Sequence, residues 1–496
     1  MNIQLQVVGS ALRAVAEEMG AVLVRSAFSA NIKERRDCST AIFAADGRMI
    51  AQAEHIPVHL GAMPEAVAAV RERDPGPGET FVVNDPFTGG THLPDVTLVS
   101  RTEVGFAVSR AHYADVGGAE PASLPAGSTD LYQEGIVVPP VRLTDEIATV
   151  LLANMRNPDE RRGDLRAQLA AHRLAERRLA ELCRRRGRDR VTAAMDALFA
   201  YSERRVRAAV AALPEGRYEA ADVLEPSDGE LVVRAAVTVS GEEIEIDFAG
   251  TSPQHDGNLN CPLAVTRSAS YFVVRCLTDP DVPASGGAFA PVTVRAPAGS
   301  LVNARPPAAV AAGNVETSSR IADVLFRALG QAVAVPAQGQ GTMNNVTFGN
   351  ARFTYYETIG GGQGACPAAD GPSGVHVAMS NTLNTPVEAL ELAYPLRVER
   401  YALRLGSGGA GRRYGGNGVI RELTALEPCR LSLVTERRAR GPAGTRGGEP
   451  GAPGRNLLNG EPLPAKVTRA LAAGESVTIE TPGGGGFGST PAPRRV

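Results

Sequence analysis

Apolar residues recur at spacings of three and four across residues 5–27 (LQVVGSALRAVAEEMGAVLVRSA), which predicts an amphipathic helix. The pattern then breaks into short runs. Cys38–Ala44 and Met49–Ala53 flank Asp46-Gly47, a dipeptide that favours a two-residue hairpin turn. A short helix is expected near Pro64–Asp74 and a strand at Thr80–Val83. Val96–Arg101 and Gly105–His112 read as a second hairpin across a short polar turn. Helical spacing returns over Asn157–Pro214, where Pro158 suits a first helical position and Gly187 is expected to divide two helices. Strands follow at Leu231–Val239, Glu243–Phe248 and Val292–Ala296, with a helix at Thr317–Leu329. From Thr342 the chain is turn-rich and β-like, and Gly483–Gly486 reads as a flexible tail or a tight loop.

This mixture implies an α+β, multi-layer protein, β-rich, with an N-terminal helix and a helical segment near 157–214. Four regions are expected: 1–156, α+β and carrying a candidate metal site; 157–214, helical; 215–400, an α+β substrate or core region; and 401–496, β-rich with a Gly-rich tail. No repeat of the length that marks a solenoid is visible.

Composition narrows the function. The 496 residues carry 51 basic and 54 acidic side chains, a formal charge of −3, so no global field favours nucleic acid or an anionic membrane. No apolar run is long enough to cross a bilayer, and Arg13, Glu17 and Glu18 make the first 20 residues unlike a signal peptide. The only lysines, Lys33 and Lys466, lack a P-loop context, and Gly-x-Ser-x-Gly is absent. Cysteines 38, 183, 261, 276, 366 and 429 are scattered, which reads as buried thiols in a reducing cytoplasm.

Four of the seven histidines, His55, His59, His92 and His112, precede residue 113, with Glu34, Asp37, Glu54, Asp85, Asp95 and Asp115 beside them. In the second hairpin, if Arg101 faces Phe106, then Asp95 faces His112. Facing side chains have Cβ atoms about 4.5–5.5 Å apart, which suits two ligands of one ion. His92 lies three residues earlier in a Gly/Pro turn. In the first hairpin, if Ala45 faces Arg48, then Cys38 faces His55, with Asp37 at the strand's start. Imidazole and carboxylate donors suit Mn, Fe or Zn. The same residues admit plainer roles: His-x-x-Asp as a surface hydrogen bond, His55 and His59 as core histidines, and Asp37 as a turn cap. Gly406–Gly411 matches Gly-x-Gly-x-x-Gly, but no helix is expected after it, so it reads as a loop. Arg184–Arg190 reads as a solvated helix terminus.

The sequence resembles the hydantoinase B / 5-oxoprolinase family. The stretches that carry the likeness run in order along nearly the whole chain. They include ERRDCSTAIFAADGRMIAQAEHIPVHLGAM (34–63), GETFVVNDPFTGGTHLPDVTLVS (78–100), RAHYADVGG (110–118), RPPAAVAAGNVETSSRIADVLFRALG (305–330), QGTMNNVTFG (340–349), YYETIGGGQGA (355–365) and TPGGGGFG (481–488).

The resemblance implies a metal held by His92 and Asp95 of THLPD, by His112 of RAHYAD, and by a carboxylate of ERRD, Asp37 or alternatively Glu34. His55 and His59 then line the site. It also implies a B-type subunit that works in a hetero-oligomer with an actin-like, A-type ATPase subunit, which uses ATP to phosphorylate a substrate oxygen. The B-type component itself binds no ATP. The expected activity is hydrolysis of a cyclic amide of hydantoin, oxoproline or lactam type, with Asp115 or His59 taking the proton. The alternatives are a subunit of an acetone- or acetophenone-type carboxylase, and a non-catalytic assembly subunit. Three departures from the family pattern are visible. Tyr113 stands where many relatives have a second histidine, a second histidine is also replaced after His376, and the turn between residues 101 and 106 is short.

Overall fold

The computed structural model describes residues 3–54, 56–226 and 229–489. Helix α1 (Ile3–Ser26) buries Leu12, Ala16, Met19 and Leu23, the stripe expected from their spacing. A short α2 (Ala30–Lys33) leads into β1 (Cys38–Ala44) and β2 (Met49–Glu54). After α3 (Met63–Arg71) come β3 (Thr80–Val83), β4 (Asp95–Arg101), β5 (Gly105–His112) and the short β6 (Val141–Arg142). These six strands form one sheet in the order β2-β1-β5-β4-β3-β6.

Both faces of this sheet are covered, which explains the uninterrupted apolar runs. Ile42, Leu98, Ala107 and Ala111 pack toward α1 in one core. Ala41, Phe43, Val99, Phe106 and Val108 pack with Met63, Val67 and Val70 of α3 in another.

A helix that the residue pattern did not suggest, α4 (Asp145–Ala153), is capped by Thr144, whose hydroxyl accepts from the amide of Ile147. Helices α5 (Pro158–Arg186) and α6 (Arg188–Val210) are separated at Gly187, whose φ of 87° ends the first helix. Along α5 the small residues Ala167, Ala171 and Ala175 are buried at four-residue spacing, and α1 packs on the helix.

A second, four-stranded sheet of β7 (Gly216–Leu224), β8 (Leu231–Ser240), β9 (Glu243–Asp247) and β10 (Val292–Arg295) follows. It packs with α7 (Leu263–Leu277), not anticipated, and α8 (Ser318–Leu329), where a helix was expected. Along α7, Val265, Ala269, Val273 and Val274 sink into the core beside buried Thr266, Ser268 and Ser270. One π-turn, Gly313–Thr317, precedes α8.

The remaining strands are β11 (Asn345–Gly349), β12 (Thr354–Glu357), β13 (Leu396–Arg404, after α9, Val387–Ala393), β14 (Gly418–Ala425), β15 (Cys429–Val434), β16 (Arg455–Leu458), β17 (Glu461–Leu463), β18 (Lys466–Leu471) and β19 (Ser476–Glu480). They form the sheets β12-β11-β15-β18 and β13-β14-β19-β16-β17, which share a core built on Phe348, Leu423, Leu431 and Ile479. Strands on either side of residue 400 therefore belong to one sheet. The architecture is α+β.

One expectation is narrowed and one corrected. Of the two readings of Gly483–Gly486, the tight loop holds, and it is buried. Its amides donate to the carbonyls of Ala452, Gly416, Gln338 and Glu449, and a Cβ at Gly484 would lie 2.0 Å from the Gln363 carbonyl oxygen. Among the described residues no disulfide joins the cysteines, but Cys276 is exposed and Cys366 only half-buried, so not all are core thiols.

Candidate metal centre

Strand register delivers the first pair. Arg101 faces Phe106 and Asp95 faces His112, as the short turn predicts. Asp95 Oδ1 lies 3.1 Å from His112 Nδ1. His92 comes from the loop before β4, where the Asp95 amide donates to the His92 carbonyl at 3.1 Å. That loop is tied down at several points. Asn84 donates to the Leu93 carbonyl at 2.8 Å, and buried Arg110 donates to the Gly89 carbonyl at 2.6 Å. Gly89, with φ of 96°, packs so closely that a Cβ would lie 2.2 Å from the Ala66 nitrogen.

The first hairpin supplies the rest, in a register partly different from the expected one. Ser39 faces Glu54 and Ile42 faces Ala51 as anticipated, but Phe43 faces Met49. The turn holds three residues, Ala45-Asp46-Gly47, closed by the Gly47 amide on the Ala44 carbonyl, and a bulge restores the register beyond it. β1 then pairs with β5, placing Cys38 opposite Ala111. The backbone enters β1 through Arg36, whose φ is 56°, and the His112 amide donates to the Asp37 carbonyl at 3.0 Å.

Asp37, His59, His92, Asp95 and His112 all line one cavity of about 20 Å³, room for a single water or ion. His92, Asp95 and His112 each present a donor atom within 4.8 Å of the others. His92 Nδ1 is 3.2 Å and His59 Nε2 3.4 Å from Asp95 Oδ2, which also accepts from the Thr91 hydroxyl. Ser39 Oγ pairs with His59 Nδ1 at 2.9 Å. The His112 ring stacks on Tyr356 at 4.8 Å between centroids, with His92 4.9 Å away.

Burial acts against charge throughout the cluster. It lowers the pKa of His92 despite Asp95 nearby. At His112 burial is outweighed by the hydrogen bond to Asp95 and the charge of Asp37, so that pKa is raised. Burial would lift Asp95, yet the histidines around it hold its carboxyl well below the ordinary range.

The donor set passes a physical test for a metal. Neither ring nitrogen of the buried His92 has an aligned hydrogen-bond partner among the described residues, an arrangement that is costly unless something binds there. Imidazoles and carboxylates without thiolate suit a divalent first-row ion.

Other expected site residues fall elsewhere. Glu34 is half-buried at the end of α2 and does not line the cavity. His55 lies outside the described residues. Asp115, expected to take the proton, is engaged away from the cavity. Its carboxylate is saturated by the amides of Gly117, Ala122 and Arg156 and by the Arg156 guanidinium, and it does not line the cavity. Much of the rest of the lining comes from residues that sequence spacing gave no reason to join to the hairpins. These are Asn314 of the π-turn, Tyr356 and Thr358 at the end of β12, and Ser380–Thr382. The signal available was the density of Asn, Thr and His in otherwise turn-like stretches.

The profile of the family described as Hydantoinase B/oxoprolinase matches residues 1–490. The chain belongs to this family. An uncharacterized protein of Methanocaldococcus jannaschii is 39% identical over 98% of this chain and 91% of its own length. The 5-oxoprolinase 1 of Arabidopsis thaliana is 37% identical over 98% of this chain, which spans only 42% of that protein. A Pseudomonas protein named as the B-type subunit of a D-/L-hydantoinase is 32% identical, covering 98% of this chain and 90% of that one. Among solved structures, an ATP-dependent caprolactamase of Pseudomonas jessenii superposes with a TM-score of 0.92 at 29% identity, over 98% of this chain and 91% of that one. An acetone carboxylase shares the fold, with a TM-score of 0.87 at 17% identity, over 98% and 75%. In this chain the cavity joins the THLPD and RAHYAD segments to residues between 314 and 382. Among the described residues no helix is long and apolar enough to cross a membrane.

Proposed function

We propose that this chain is the metal-dependent B-type component of an ATP-dependent cyclic amide hydrolase. It acts on a hydantoin-, oxoproline- or lactam-type ring whose oxygen has been phosphorylated by a partner A-type subunit. The observation that carries the reading is the convergence of His92, Asp95 and His112 on a single-ion cavity, around a histidine with no other aligned partner. Relatives named as 5-oxoprolinase, B-type hydantoinase component and ATP-dependent caprolactamase support the substrate class.

The roles follow from chemistry. An amide resists attack because resonance lowers the electrophilicity of its carbonyl carbon, and phosphorylating the oxygen removes that protection. His92, Asp95 and His112, with Asp37 beside them, would hold the divalent ion. A bound ion there supplies charge that polarises the substrate oxygen and makes water more acidic. Burial of the donors keeps competing water out and strengthens each interaction. His59, held by Ser39 and close to Asp95, orients that carboxylate. Neither lysine offers a P-loop, and Lys466 is engaged by Glu436, in keeping with nucleotide chemistry on the partner.

The test is metal analysis of the purified chain, followed by ATP-dependent ring opening of 5-oxoproline and caprolactam with an A-type subunit added. About one divalent ion per chain, and turnover lost on chelation and restored by metal, are expected. A chain without bound metal, or chelator-resistant turnover, sinks the reading.

A further inference from the structure

Three hydroxyls line the cavity together with the histidines, and they are linked. They belong to Ser380, Thr358 and Thr382. Ser380 Oγ bonds His376 Nδ1. His376 Nε2 lies 3.2 Å from Thr382 Oγ1, and Thr382 Oγ1 lies 2.6 Å from Thr358 Oγ1. The chain of contacts leaves the cavity at Ser380, passes through an imidazole, and returns to the same cavity at Thr358.

Counting hydrogens leaves this chain two arrangements. The Arg35 guanidinium, fully buried, donates to Thr358 Oγ1 at 2.6 Å and to Thr382 Oγ1 at 3.0 Å. It cannot accept, so each threonine oxygen has one lone pair committed. In the first arrangement Ser380 donates to Nδ1, Nε2–H donates to Thr382, and Thr382 donates to Thr358, whose own hydrogen is free for the cavity. In the second every bond reverses, and the free hydrogen belongs to Ser380. Each has the same number of hydrogen bonds. Switching between them moves one proton equivalent from one lining hydroxyl, Ser380, to another, Thr358. Burial and the nearby Arg35 push the His376 imidazolium pKa down to about 3, so the ring works as a neutral group that exchanges which nitrogen holds hydrogen.

We propose that Ser380, His376, Thr382 and Thr358 form a proton relay that carries the proton released by the attacking water to the ring nitrogen of the substrate. The inference rests on the hydrolase reading above. In the step, the water oxygen bonds to the activated carbon, one water O–H bond breaks, and the π pair of the carbon–nitrogen bond takes up a proton as a new N–H bond. The tetrahedral carbon then re-forms a carbonyl as its single bond to nitrogen breaks, the hydroxyl proton passing to that nitrogen, and the acyl phosphate left behind gives up its phosphate to a second water. Each relay group gives up one hydrogen and receives one, so no proton is lost or gained. Exchange with cavity water at the two ends restores the starting arrangement. The relay answers a need of the chemistry, since water must lose a proton where the nitrogen must gain one and both sites are shielded from solvent.

Two measurements test it on the full-length chain. In the first, histidine is labelled with ¹⁵N and the His376 signals are assigned by their loss in His376→Gln. Both ring nitrogens should show shifts averaged between protonated and unprotonated values. The isosteric Thr382→Val should lock one tautomer, and Thr382→Ser should restore averaging. A single fixed tautomer in the wild-type chain overturns the relay, as does averaging that survives Thr382→Val. In the second, with the A-type subunit, ATP and caprolactam, Thr382→Val should lower kcat about 100-fold at unchanged KM, with metal content retained. Wild-type kcat in that variant overturns the relay. Absence of metal from the wild-type chain defeats the hydrolase reading instead, while the tautomer experiment still decides the relay.

Discussion

The amide of His112 donates to the carbonyl of Asp37 at 3.0 Å, at the cavity end of the ladder that joins the two hairpins. It continues the β1–β5 ladder by one residue beyond Cys38. Through it the carboxylate of one hairpin reaches the cavity that the other hairpin lines with imidazoles.

Removing a cavity donor should empty the site. His92→Ala is expected to lose stoichiometric metal and turnover while keeping a wild-type circular dichroism spectrum. Ser39→Ala, which frees His59, should weaken metal affinity by about 10-fold. Titration with Mn²⁺ or Zn²⁺, followed by calorimetry, measures both.

Asp115 should prove structural. Asp115→Ala strips acceptors from the amides of Gly117, Ala122 and Arg156 and leaves the Arg156 guanidinium without its carboxylate. A loss of about 3 kcal/mol is expected in chemical denaturation, with metal content unchanged below the transition.

Glu316 should make stability pH-dependent. Burial, then the neighbouring Glu436, lifts its carboxyl to about 8. In the unfolded chain it ionises near the ordinary value, so between the two the unfolded state has released a proton that the folded state keeps. Its contribution is therefore full at low pH and declines as pH rises through about 8. Glu316→Gln cannot ionise. The melting temperature of wild type relative to this variant should fall from pH 5 to pH 8, and a constant difference would refute the assignment.

The glycine loop near the C-terminal end should tolerate no side chain. Gly484→Ala places a methyl group against the backbone oxygen of Gln363, a neighbour that cannot rotate away. A cost of about 1–3 kcal/mol is expected from thermal or urea unfolding. Stability equal to wild type would mean that the loop opens in solution.

Much of the local structure was legible in the residue pattern. The α1 stripe, the Gly187 break and the pairing of Asp95 with His112 follow from helical period, a positive-φ glycine and the arithmetic of a short turn. Those are properties of neighbouring residues. The first hairpin shows where such arithmetic slips: Asp46-Gly47 favours a two-residue turn, but the chain makes a three-residue turn and recovers register with a bulge. Helix α7 went unseen because its buried positions include Thr266, Ser268 and Ser270, hydroxyl residues that interrupt the run of apolar spacing.

By itself, then, the sequence determined the family, the α+β character and the residues able to grip an ion, because motif spacing and hydrophobic period are carried by the chain locally. Only the tertiary structure decided that β1 lies against β5, that Asp115 is spent on backbone amides, and that Arg35 meets Thr358, more than 300 positions along the chain, beside the cavity that Thr358 and Ser380 line. Those contacts come from packing two covered sheet faces against the rest of the molecule. No short-range rule encodes them, since their energy is gained only when distant segments exclude water together.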